Sequence, residues 1–155
     1  MTIPLIEQRA IEARIFQATY RSLLAKQGRD EALAVIGRAV EALGFEAGRA
    51  FAAKAPNGPS FGHFASIVEL WQASGALRIE NMHLEPDELA FEVTRCAYLD
   101  KYREMGLPEE LAGLISCGRD EPFARGYGGQ LVFERPTSLA TGAPSCRFRF
   151  SWGVK

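Results

Sequence analysis

Apolar positions recur at three- and four-residue steps through the first half of the chain and alternate with polar ones in much of the second, so helices should give way to strands near residue 77. Thr2 and Pro4 mark a helix start, and the stretch to Lys26 keeps Ile6, Ala10, Ala13, Tyr20 and Leu24 near one stripe until Gly28 stops it. Asp30 is placed to cap a second helix, in which Leu33, Ile36, Val40, Leu43, Ala47 and Phe51 recur at helical spacing. Gly37, Gly44 and Gly48 weaken that helix, which points to close packing against a neighbouring helix; the same stripe would suit a homodimer contact. The KAPNGPS segment is a loop, and Ser60 can cap a third helix over residues 61–72, with Phe64, Ile67, Val68 and Trp71 on one face and Gly75 at its end.

Residues 77–84 and 89–96 read as two strands joined by the polar EPDE turn, an antiparallel hairpin. By strict alternation Leu89, Phe91 and Val93 point one way, and Glu92, Thr94 and Cys96 the other. Short helices over 97–105 and from Pro108 to Gly118 follow, then strands over 130–135 and 145–152 joined by PTSLATGAP. On the last strand Cys146 alternates in phase with Phe148, Phe150 and Trp152, and Arg147 and Arg149 share the other face. The whole predicts an α+β fold: N-terminal helices on one face of an antiparallel sheet of about four strands, with short helices inserted between two hairpins. At 155 residues the chain suits one domain, helical over 1–55.

Charge narrows the function. A formal net charge of -1 with 24% charged residues offers no field to attract nucleic acid or an anionic membrane. The N-terminus mixes Glu and Arg into its apolar positions, unlike a signal peptide, and no later run approaches the roughly 20 apolar residues of a membrane span, so a soluble cytoplasmic protein acting on a small molecule is expected. Three widely spaced cysteines do not describe a disulfide framework, and without a close Cys or His pair they imply no metal site; nothing in the sequence requires a cofactor.

Several residues could carry chemistry. Cys96 lies where a strand hands over to a helix; beside Arg95 its thiolate would be favoured for nucleophilic attack, or the thiol fills a gap at the strand end. Cys117 and Asp120 flank a turn after a helix, where Asp120 could act as a base kept ionised by Arg119, or cap the next short helix, EPFARGY. His63 sits at the edge of the third helix's apolar face, where it could reach into a pocket or stay without a role. Arg147 and Arg149 could bind a carboxylate or form a solvated face with salt bridges.

Taken in order, RCAYLDKYREMGLPEELAGLISCGRD and ARGYGGQLVFERPTSLATGAPSCRFRF resemble the L-2-amino-thiazoline-4-carboxylic acid hydrolase family over about sixty residues, and Phe61 to Trp71 extends the likeness within residues 60–155. The matching positions are Cys96, Tyr98, Cys117, Asp120 and Cys146. The resemblance implies hydrolysis of a cyclic isothiourea acid to N-carbamoyl-cysteine, on a fold similar to the vinyl-reductase type of small-molecule-binding domain. On that basis Cys117, Asp120 and Cys96 are the candidate catalytic residues, and Tyr98, His63, Arg95 and Arg119 the candidates for holding substrate. The same scaffold can also serve as a non-catalytic sensor. Ala143 and Arg147 stand where many members carry acidic residues, a difference that would reverse the charge the site prefers if those positions face it.

Overall fold

The computed structural model describes residues 2–153. Helices α1 (Leu5–Gln27) and α2 (Arg29–Ala53) form a hairpin that turns at Gly28, whose φ of 85° is open to glycine without strain. Asp30 is not the cap of α2: it lies in the first turn, where its charge complements the helix dipole, and Gly28 is the capping position. Ile36 and Val40 are buried as the periodicity predicts, whereas Leu24 and Leu43 stay exposed.

Ser60 caps α3 (Phe61–Ala65) by accepting a hydrogen bond from the His63 N–H at 3.1 Å. The expected single helix is two: the chain tightens at Ser66, whose hydroxyl and N–H both donate to the His63 carbonyl, before α4 (Ile67–Trp71). A 3-10 turn over Ala73–Gly75 leads into the sheet.

The sheet contains β1 (Leu77–Leu84), β2 (Glu88–Cys96), β3 (Leu131–Glu134) and β4 (Cys146–Trp152), antiparallel throughout, in the order β1-β2-β4-β3. Both hairpins form as expected, and the β2–β4 pairing joins them. Leu89, Phe91, Val93, Cys146 and Phe150 are buried on the covered face. On the other face Arg147 meets Glu92 at 3.4 Å and Arg149 meets Glu88 at 2.7 Å, so these arginines form the solvated, ion-paired surface. Strict alternation fails near the end of β2. Ile79 pairs with Val93 but Arg78 pairs with Arg95, which leaves Thr94 as an extra residue, a β-bulge. Beyond it the faces exchange: Arg95 points outward and Cys96 turns in.

Between the hairpins run α5 (Ala97–Glu104), α6 (Glu109–Cys117) and α7 (Asp120–Tyr127). Gly44 and Gly48 of the α2 stripe are met within the chain by α7 and the residue before it, whereas Gly37 faces the Leu114 side chain of α6 at an ordinary 3.7 Å. A Cβ on Gly48 would stand 2.1 Å from the Phe123 carbonyl oxygen, and one on Gly126 2.1 Å from that of Phe45, so the two backbones meet where only glycine fits. One apolar cluster lies between α2, α3, α4, α7 and the sheet; a second packs α1 and α2 against α5 and α6.

Candidate functional site

A cavity of about 340 Å³ lies among the helices and the covered face of the sheet. Phe51 of α2, Trp71 of α4, Phe91 and Phe148 of the sheet, and Phe123 of α7 make most of its wall apolar. Ala50, Lys54 and Leu70 line it while remaining exposed, and so border its mouth.

Asp120 opens α7 but makes no capping bond; its side chain lines the cavity. Its Oδ2 accepts a hydrogen bond from Arg135 Nη1 at 2.5 Å, with both side chains more than four-fifths buried. Arg135 also donates to the Cys117 carbonyl at 3.4 Å, and its guanidinium lies over the Phe133 and Phe148 rings, at 5.3 and 5.5 Å from their centroids. Burial outweighs the attraction of Arg135 and raises the Asp120 carboxyl to about 6. Arg119, the cation the sequence suggests would keep Asp120 ionised, adds only a smaller effect, and Arg135 makes the direct contact.

All three thiols line the same cavity. Burial pushes Cys96 up to about 11 and raises Cys117, whose neighbour Asp120 disfavours a second negative charge. The dipole and Arg95 therefore do not produce a ready thiolate at Cys96. Ser138 Oγ lies 3.9 Å from Cys117 Sγ and 3.8 Å from Cys146 Sγ, and Cys146 Sγ also accepts the Leu139 N–H at 3.2 Å.

A second polar group comes from α1, outside the family motifs. Arg119 Nη2 donates to Glu12 Oε2 at 2.7 Å, and Arg9 Nη1 donates to both oxygens of the same carboxylate at 3.0 and 3.1 Å. Arg9 and Arg119 line the cavity, and the buried Arg119 Nε has no hydrogen-bond partner among the described residues. Tyr102 lines the wall beside them. Tyr98 also contributes to the lining, but its hydroxyl donates to the Trp71 carbonyl at 2.9 Å, which ties α5 to the end of α4.

Two candidates sit elsewhere. Arg95 is exposed, faces Asp100 at 3.4 Å and is not part of the cavity wall. His63 stacks on Phe51 with ring centroids 4.3 Å apart, and its Nδ1 lies 2.9 Å from the Tyr127 hydroxyl, which donates to the Ser60 carbonyl; His63 joins α3 to α7 and is not part of the cavity wall.

Comparison with known proteins places this geometry. The profile of the L-2-amino-thiazoline-4-carboxylic acid hydrolase family matches residues 8–150. The chain belongs to that family. No curated protein matches it. The fold is similar to that of the phenol-responsive sensory domain of the transcription activator PoxR, solved with phenol, at a TM-score of 0.54 and 15% identity, covering 97% of this chain and 76% of that one.

Membership of the L-2-amino-thiazoline-4-carboxylic acid hydrolase family runs well beyond the sixty residues whose motifs first pointed to it, reaching back into α1. The five positions matched by motif, Cys96, Tyr98, Cys117, Asp120 and Cys146, are scattered over fifty residues of sequence, and all of them line one cavity. Arg9, Tyr102 and Arg135 were missed. The only sequence signal for Arg9 is a basic residue one position before buried Ala10, on a helix expected to be structural. No helix among the described residues is long and apolar enough to cross a membrane.

Proposed function

We propose that this chain hydrolyses a small cyclic carboxylate resembling 2-aminothiazoline-4-carboxylate, yielding an N-carbamoyl-cysteine-like product, with Asp120 moving the protons. The observation that carries the reading is a carboxyl group raised to about 6, inside a cavity and held by Arg135. Such a group is mostly ionised at neutral pH yet close enough to its midpoint to accept and return a proton. Cys96 and Cys117, which line the same cavity, are raised by burial, so water, not a thiolate, is the nucleophile in this reading.

The chemistry then balances without a covalent intermediate. Water oxygen bonds to the amidine-like ring carbon as Asp120 takes one of its protons and delivers it to the ring nitrogen. The remaining hydroxyl proton passes through Asp120 to the sulfur as the carbon–sulfur bond breaks, leaving a urea-type carbonyl and a free thiol. In this reading Arg119 and Arg9, which line the same cavity, hold the substrate carboxylate.

Incubation of the purified chain with racemic 2-aminothiazoline-4-carboxylate, followed by mass spectrometry, is expected to yield carbamoyl-cysteine, and Asp120→Asn to abolish it. The apolar wall favours one alternative, a sensor that holds a small aromatic without turning it over; the PoxR domain of similar fold is phenol-responsive. No product under any metal or reductant condition, with saturable binding of phenol, would establish that alternative.

A further inference from the structure

The charges around the cavity do not cancel. Asp120 is engaged by Arg135, and Glu12 alone serves both Arg9 and Arg119. Lys54 adds a third lining cation near the mouth. Arg119 Nε is buried without a hydrogen-bond partner among the described residues, an unmade bond that an acceptor on a ligand would complete. Beside it Tyr102 lines the cavity; the residue is almost fully buried, and its hydroxyl makes no side-chain hydrogen bond among the described residues. A guanidinium donor and a free hydroxyl at one wall match the two oxygens of a carboxylate.

The rest of the chamber asks for something else. Its volume of about 340 Å³ falls within the roughly 300–1,000 Å³ of pockets that enclose drug-sized ligands, more space than a bare five-membered ring needs. Phe51, Trp71, Phe123 and Phe148 furnish aromatic surface in that remaining volume. Trp71 and Phe123 already meet edge to face at 5.6 Å, leaving ring faces to accept a further apolar group.

We infer that the cavity is built for an amphipathic carboxylate, its acid group bound by Arg119, Arg9 and Tyr102 and an aromatic or branched apolar body packed against Trp71 and Phe123. This deepens the proposed function and rests on it for the placement of the acid, but it names a larger substrate class than the unsubstituted thiazoline.

The test is equilibrium binding to the full chain, by calorimetry and by Trp71 fluorescence in a Trp152→Phe background. The probes are 3-phenylpropionate, its primary amide and propionate. The aromatic acid is expected to bind at least ten-fold more tightly than either of the others, because only it satisfies both halves of the site. Arg119→Met should remove that preference for acid over amide while leaving amide binding in place. Equal affinity for acid and amide, equal affinity for 3-phenylpropionate and propionate, or no binding by any probe would overturn the inference. If Arg119→Met does not fold, the comparison of the three probes on the unaltered chain decides alone. Turnover of 2-aminothiazoline-4-carboxylate without acid selectivity would sink this inference and leave the proposed function; acid-selective binding without turnover would do the reverse.

Discussion

Asp120 and Arg135 are fifteen residues apart in the chain and 2.5 Å apart in space, and burial still raises the Asp120 carboxyl to about 6. The arginine favours a charge on the Asp120 carboxyl at the cavity wall that burial alone would oppose. Desolvation is the larger effect on the carboxyl, and the arginine limits it.

The first consequence is a pH dependence. Turnover should rise with pH through about 6 and level off above 7, because Asp120 must be ionised to take a proton from water. Stability should run the opposite way: the folded-state value lies above the ordinary 3.8, so this group's contribution is full below about 4 and is lost as pH rises through 6. Asp120→Asn should lower turnover by at least 100-fold and remove that part of the stability slope. A pH–rate profile and urea unfolding at pH 4 to 8 check both signs; a rate that is flat through 6 would dismiss Asp120 as the base.

Arg135→Met should be more damaging than loss of a surface pair. It leaves a buried carboxylate without its partner, at a cost of about 3–5 kcal/mol, and should shift the acid limb of the rate profile to higher pH. Denaturant unfolding at pH 7 measures the first effect and the pH–rate profile the second. An unmoved limb would mean that Arg135 does not control the charge of Asp120.

The glycines of α2 should separate cleanly. Gly48→Ala places a methyl 2.1 Å from the Phe123 carbonyl oxygen, so α2 and α7 must move apart, with an expected loss of about 1–3 kcal/mol. At Gly37 the nearest atom, on the Leu114 side chain, is 3.7 Å away, an ordinary contact. Gly37→Ala should be neutral or stabilising by up to about 1 kcal/mol from helix propensity. Thermal unfolding of the two variants side by side tests the contrast.

The thiols should be unreactive at neutral pH. Cys96, raised to about 11, and Cys117 should alkylate slowly with iodoacetamide at pH 7 and faster as pH rises, when followed by mass spectrometry. Cys96→Ser should retain turnover within about ten-fold, far from the loss expected of a nucleophile. Rapid labelling at pH 7 together with loss of activity in that variant would restore the thiolate mechanism.

Periodicity made much of this fold legible. The alternation of Leu89, Phe91 and Val93, and of Cys146, Phe148 and Phe150, assigns the covered face of two strands from local pattern alone, because a buried face demands apolar side chains at every second position. Alternation could not place Cys96, since the bulge at Thr94 depends on how β1 pairs with β2. Nor could it reveal that β2 lies beside β4, a contact between strands fifty residues apart.

For the site the division is similar. The sequence by itself determined most helices, the two hairpins and the ordered cysteine and aspartate motifs, because each depends on neighbours within a turn or a strand; which glycines of α2 are required depends on the distant α7 backbone. Only the tertiary structure decided that those motifs converge on one cavity, that Asp120 is held by Arg135 rather than by adjacent Arg119, and that Arg9 of the first helix shares its wall. Burial and charge at a point in space depend on every segment that reaches it, and no local pattern records which distant segments those are.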